Sequence, residues 1–220
     1  MPPEIVLYGV RRVPFTEKCR RALVLKRLAF ELREPSGPED YRRWSPKTGL
    51  LPVMTVDGEL VSDSTDILYR LDELAPEPPL VSSDVAVASQ QRNLEDWADE
   101  SFLWYFREWQ RLERAENAPP GPAPRSLLLR RLAERRRLLP RNAVARAELL
   151  RGVEARLDDL VNLLGTRPFF YAERISMADL TVYGMLASLS GDSIPGAAAG
   201  MASRPRLQEY MRRVEAETGG

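Results

Sequence analysis

Three short stretches of the chain hold residue types at spacings that chemistry can use. The first is Arg12-Val13-Pro14-Phe15-Thr16-Glu17-Lys18-Cys19-Arg20, where a proline opens a helical pattern just after a strand-like run. A helix start presents free N–H groups and the positive end of the dipole. A sulfur held there is drawn toward thiolate: thiol pKa values at such ends fall from about 8.5 to roughly 3.5–7.5. The second stretch is Leu51-Pro52-Val53. A proline opening a strand removes a ladder donor, and a cis peptide in a tight turn accommodates it. The N–H and C=O of Val53 would then face outward as an edge on which an extended peptide adds as a strand. An ordinary edge-strand proline is the competing reading. The third is Val61-Ser62-Asp63-Ser64-Thr65-Asp66. Polar caps at a helix start suit a carboxylate. Ser64 can add its hydroxyl, and Asp63 can accept from an amine. Plain capping by Ser62 or Asp63 needs no ligand.

What is missing narrows the chemistry. The chain has no His, which removes the Ser-His-Asp and Cys-His nucleophile systems and the commonest zinc ligand, so no metal is expected. Its single cysteine, Cys19, excludes an internal disulfide framework. Cys19 falls on the apolar face of its helix and reads as a buried small hydrophobe, which disfavours a cysteine redox mechanism. Lys+Arg and Asp+Glu are both 32, so net charge gives no pull toward nucleic acid. No apolar run approaches the roughly 18 residues a membrane span needs. The start lacks the basic then apolar pattern of a signal peptide. A reducing cytoplasm is the expected compartment.

These motifs need elements to position them. Ile5 to Val10 is an apolar β-branched run and predicts a buried strand. From Pro14 the apolar positions Cys19, Ala22, Leu23 and Leu28 recur near helical spacing. Phe30–Glu34 alternates as a second strand, a short helix is expected over 41–44, and Leu50–Val56 is a third strand. Asp57-Gly58 is a two-residue hairpin turn into a fourth strand, Glu59–Val61, and a helix covers 62–74. The order is β-α-β-α-β-β-α. Ala75-Pro76-Glu77-Pro78-Pro79-Leu80 stops that helix and reads as a stiff linker. Beyond it the pattern is helical: a long helix over 85–116, a Pro-rich loop over 118–124, a basic helix from Ser126 to Pro140, and helices over 142–164, 177–189 and 204–217. The expected organisation is therefore a thioredoxin-like α+β domain over residues 1–76, a linker over 77–84 and an all-helical domain over 85–220.

With these motifs in this order, the chain resembles the cytosolic glutathione transferases. Leu51-Pro52-Val53 is similar to their cis-Pro motif, and Asp63-Ser64 to their Glu/Gln-Ser pair that binds the γ-glutamyl end. Ser176-Met177-Ala178-Asp179 is similar to their buried helix cap, with Ser176 and Asp179 in a folding role. The resemblance implies glutathione as co-substrate, held by Val13, Leu51, Pro52, Val53, Asp63 and Ser64. It also implies a basic residue at the glycine carboxylate, from among Arg42, Arg43 and Lys47, and a homodimer engaged in detoxification. Asp96 and Asp99 fall where the family places an acid reaching across a dimer.

One departure stands out. Where the serine and cysteine classes carry the activating residue, this chain has Val13. Three readings stay open. Thr16 with the helix end activates the thiol, or Arg12 or Tyr8 does, or the site binds without catalysing. The expected function is conjugation of glutathione to an apolar electrophile, with a non-catalytic binding or interaction protein and a glutathione-dependent isomerase as the alternatives. The aromatic-rich long helix supplies Tyr105 and Trp109 as an expected substrate pocket. Arg130, Arg131, Arg135, Arg136 and Arg137 read as a solvated face, a lid or a docking surface.

Overall fold

The computed structural model describes residues 2–117 and 141–219, with side chains from 143 onward in the second stretch. The expected Pro-rich loop and basic helix lie outside the described residues. Strand β1 (Ile5–Tyr8) leads into α1 (Pro14–Leu25), then β2 (Glu31–Arg33) and α2 (Pro38–Trp44). Strands β3 (Val53–Val56) and β4 (Glu59–Ser62) follow, then α3 (Ser64–Leu74). The rest is helical: α4 (Val85–Asn117), α5 (Arg141–Leu164), α6 (Met177–Ser190), α7 (Ala197–Ala202) and α8 (Pro205–Thr218).

The strands form one mixed sheet in the order β2-β1-β3-β4. β1 and β2 are parallel, and a parallel pair needs a crossover, which α1 provides. β3 and β4 are antiparallel across Asp57 (φ 50°) and Gly58 (φ 85°), the paired positive φ values of a tight hairpin. This is the expected thioredoxin-like half followed by a helical half. One element is longer than expected and one escaped the pattern. α2 begins at Pro38, whose fixed φ suits a first helical position, with Glu39 and Asp40 in the first turn and Arg42 and Arg43 in the last. α7 is a single alanine-rich stretch too short to show a period.

Helix α6 lies at the centre, and its residues from Met177 to Leu186 are all buried. A helix apolar on every side must be enclosed, and α1 and α4 both pack on it. The core is continuous from Leu7 and Leu23 through Phe102 to Leu186 and Tyr210. Gly184 allows the closest approach: a Cβ there would stand 2.6 Å from the Pro14 carbonyl oxygen. The segment between α3 and α4 is tied to both halves. Lys26 Nζ donates to the carbonyls of Ala75 (2.6 Å) and Pro78 (2.9 Å) and pairs with Asp72 (2.7 Å). Leu80 is buried, and its carbonyl accepts from the Met177 N–H at 2.8 Å.

Candidate functional site

The hydrogen-bond phase of the sheet decides which backbone is open. The Leu51–Pro52 peptide is cis. Asp57 N–H donates to the Glu4 carbonyl at 2.9 Å, and Ile5 pairs with Val56. Alternation along an antiparallel ladder then makes Tyr8 and Val53 a hydrogen-bonded pair. Val53 therefore spends its N–H and C=O on Tyr8, and its side chain is buried. The outward edge expected at Val53 belongs instead to Leu51, which precedes β3 and is only half-buried.

Asp63 caps α3 at φ 80°, its Oδ1 accepting from the Thr65 N–H at 2.8 Å. It is exposed and its second oxygen is open, while Ser64 beside it is buried. Beneath this start lies a charged cluster that sequence reasoning missed. Lys18, 1% exposed, donates to Glu95 at 2.6 Å and to Asp99 at 2.7 Å. Thr65 Oγ1 donates to Glu95 at 2.7 Å. Burial pulls the Lys18 ammonium down, but Asp99 and Glu95 outweigh it and hold the lysine above its ordinary value. Burial pushes the Asp99 carboxyl up to about 6, against the pull of Lys18. One Asp99 oxygen is thus engaged within its own chain rather than projecting outward. Lys18 and Glu95 are far apart in sequence, and only the four-residue spacing of Glu95 and Asp99 hinted at a shared face.

The start of α1 is bare. Val13 is its N-cap residue, with no side-chain hydrogen bond, and the Val13 N–H donates to the Val10 carbonyl at 3.1 Å. Pro14 has no donor. Helix geometry leaves the N–H groups of Phe15 and Thr16 as the open donors of the first turn. The three candidate activating residues separate here. Thr16 is 1% exposed, and its Oγ1 is buried without a hydrogen-bond partner, packed over Gly9. A buried oxygen is out of reach of a ligand in the cleft. Tyr8 belongs to the opposite face of the sheet from Leu7, with its ring 4.8 Å from that of Trp44. Arg12, at φ 71°, is exposed and directly precedes the helix. Cys19 is fully buried, and burial pushes its thiol up to about 12, so it is no nucleophile.

At the far end of the cradle, Arg43 is exposed and pairs with Asp40 at 2.6 Å. Its neighbour Arg42 instead lines a cavity of about 510 Å³ with Val10, Pro38, Tyr41 and Gly49. The expected aromatic pocket divides. Tyr105 lines a cavity of about 250 Å³ with Trp104 and Leu149, to which the N-terminal half contributes no residue. Trp109 is buried, its Nε1 donating to Glu113 at 3.1 Å beneath the Arg146 guanidinium. Trp109 is a core residue and lines no pocket with Tyr105. Among the described residues no three His, Cys, Asp or Glu side chains gather as a metal ion requires. No helix among them is long and apolar enough to cross a membrane.

Two family models match the chain: the glutathione S-transferase N-terminal domain over residues 7–79, and the glutathione S-transferase C-terminal domain over residues 143–213. The chain belongs to the glutathione S-transferase superfamily. Among its relatives, the probable glutathione S-transferase GSTU1 of Oryza sativa subsp. japonica is 30% identical over 164 residues, which are 71% of this chain and 63% of that protein. The match therefore spans less than two thirds of the rice protein. FtsZ-localized protein A of Caulobacter vibrioides is 29% identical over 189 residues, 81% of this chain and 74% of that protein. A glutathione transferase homolog from Sulfitobacter, solved with bound glutathione, shares the fold at TM-score 0.70 and 18% identity, covering 97% of this chain and 93% of that one.

As a glutathione S-transferase superfamily member, the chain has the expected cap at the start of α6. Asp179 is fully buried and accepts from the Ser176 N–H (2.8 Å), the Ser176 hydroxyl (2.7 Å) and the Phe170 N–H (2.9 Å). Burial pushes its carboxyl up to about 6 against those three donors. The cap pins the loop before α6 and touches no part of the cradle.

Proposed function

We propose that the chain binds glutathione in an extended form across the starts of α1 and α3 and presents its thiolate for conjugation to an electrophile. The single observation that carries this reading is that, among the described residues, the Leu51 backbone before cis Pro52 has no hydrogen-bond partner while the α3 start at Asp63 and Ser64 keeps a free carboxylate oxygen. The peptide would add to Leu51 as a short strand. Its γ-glutamyl carboxylate would meet the α3 N–H groups and the Ser64 hydroxyl, and its amine the free Asp63 oxygen. Arg42, at the cavity beside Val10, suits the glycine carboxylate. The sulfur would lie at the α1 start, where the dipole, the Phe15 and Thr16 N–H groups and the Arg12 charge favour thiolate. A homodimer in a reducing cytoplasm, acting in detoxification, belongs to the same reading.

A second reading has its own support: Val13 offers neither hydroxyl nor thiol, and the Thr16 hydroxyl is buried. It makes the chain a binding or interaction protein; the Caulobacter relative is itself named for its localization to FtsZ. Calorimetric titration with glutathione, followed by an ultraviolet difference spectrum for bound thiolate at neutral pH, separates the two. The transferase reading expects binding below millimolar concentration and a thiolate band. Binding without the band selects the second reading, and no binding at millimolar concentration ends both glutathione readings.

A further inference from the structure

A second cleft opens beside α1, between the β1–α1 loop that leads into the bare helix start and the helical half. It has a volume of about 610 Å³, and its walls include Arg11 and Arg12 from the β1–α1 loop, Arg20 and Arg21 from α1, and Tyr183 and Ala187 from α6. The charges do not cancel locally. Arg20 takes both oxygens of Glu17, at 2.8 and 2.7 Å, and Arg21 shares the same carboxylate at 2.8 Å. Arg21 is then saturated: it also donates to Thr218 and to the Tyr183 hydroxyl, and lies 3.9 Å from the centre of the Tyr183 ring. The Tyr183 hydroxyl in turn donates to Glu215 at 2.8 Å. Arg11 reaches Glu34 at 3.9 Å, both half-exposed. Arg12 meets no carboxylate among the described residues, and the Ser188 and Ser193 hydroxyls on the opposite wall have no partner among them. Four guanidinium groups thus line the cleft with one carboxylate, Glu17, while Arg11 is drawn to Glu34 outside it, and the arginine nearest the α1 start is the open one.

We propose that this cleft binds a small carboxylate-bearing molecule, Arg12 taking the carboxylate and the Tyr183–Ala187 wall taking its carbon body. The volume is that of a small-molecule site, and the planar fork of arginine matches two carboxylate oxygens. Tyr183 is fixed between Arg21 and Glu215, so this wall is preformed, with Ala187 partly exposed on it. Identifying the ligand as the electrophile rests on the glutathione reading; the anion site itself does not. On both readings together, the acceptor for the thiolate is anionic, whereas the aromatic pattern of α4 alone pointed to a purely apolar one.

The test uses the full chain and two pairs of probes. The first pair is 4-phenylbutyrate and the neutral 4-phenylbutanol. The acid should bind at least tenfold more tightly than the alcohol, and the preference should vanish in Arg12→Asn and return in part in Arg12→Lys. Asn tolerates the left-handed backbone at this position, so the loop is kept. The second pair is S-hexylglutathione and S-(5-carboxypentyl)glutathione. Their affinity ratio should favour the acid tenfold in the native chain and approach one in Arg12→Asn, whatever the variant does to glutathione itself. Equal binding of phenylbutyrate and phenylbutanol overturns the proposal, as does an acid preference that survives both Arg12→Asn and the Arg11→Gln/Arg12→Asn pair. Phenylbutyrate binding in a chain that ignores glutathione upholds the cleft and ends the transferase reading.

Discussion

Helices α1 and α6 lie against each other, yet their starts are finished in opposite ways. The α6 start is closed: one buried carboxylate, Asp179, answers three donors from Ser176 and Phe170. The α1 start is bare: Val13 gives no side-chain cap, and Pro14 simply fills the first position. A closed start stabilises the fold and leaves nothing for a ligand. A bare one beside a cleft leaves its first-turn N–H groups and dipole available, and the fold must be held elsewhere. The difference separates a residue kept for folding from a position where binding is built.

The largest effect is expected at the closed start. Asp179→Ala would strand three donors, two of them backbone groups in a buried loop, and should cost about 3 to 4 kcal/mol, read by urea denaturation. A loss below about 1 kcal/mol would mean that water replaces the carboxylate and that the start is not closed. Next comes the contact that joins the two helices. A Cβ in Gly184→Ala would sit 2.6 Å from the Pro14 carbonyl oxygen, which is backbone and cannot swing away. Overpacking of this kind costs about 1 to 3 kcal/mol, and any displacement falls on the α1 start, so glutathione affinity should fall along with the melting temperature. Unchanged glutathione affinity in a destabilised Gly184→Ala chain would detach the α1 start from the proposed site.

Smaller effects probe the bare start itself. Val13→Ser supplies the missing hydroxyl and should lower the pKa of bound glutathione by about one unit, worth about 1.4 kcal/mol, read from the ultraviolet thiolate signal. No change would show that Val13 does not stand at the activating position. The smallest change is expected at Thr16→Val. Exchanging a buried, unpartnered hydroxyl for a methyl of the same shape should leave stability unchanged or raise it by up to about 1 kcal/mol, with the thiolate signal intact. Loss of that signal would restore Thr16 as the activating group.

Much of this comparison was legible in the residues. Pro14, Asp57-Gly58 and Ser176-Met177-Ala178-Asp179 are local signatures, each fixed by backbone preferences within a few positions, and the structure has the elements they imply. What could not be read depends on direction and phase. Thr16 and Arg12 are both near the α1 start in sequence, but one points at Gly9 and the other into a cleft. Val53 and Leu51 flank the same proline, and only the register with Tyr8 shows which has free backbone. Trp109 and Tyr105 are one helical turn apart, and only the packing of α5 puts the first inside and leaves the second at a cavity wall. The Lys18–Glu95–Asp99 cluster joins α1 to α4 across 77 positions, beyond any local pattern.

The tie between α3 and α4 also bears on how the chain evolves and comes apart. A proline-rich joint reads as a hinge at which two units could be separated. Here Lys26 clasps the carbonyls of Ala75 and Pro78 from one side, and Met177 holds Leu80 from the other. The halves share one continuous core across that seam. Loosening either side exposes the other, so a single melting transition is expected by calorimetry, and a nick between Pro76 and Asp84 should leave two fragments that stay together. Each half is a sequence module, but neither is a folding unit that could be exchanged alone between relatives.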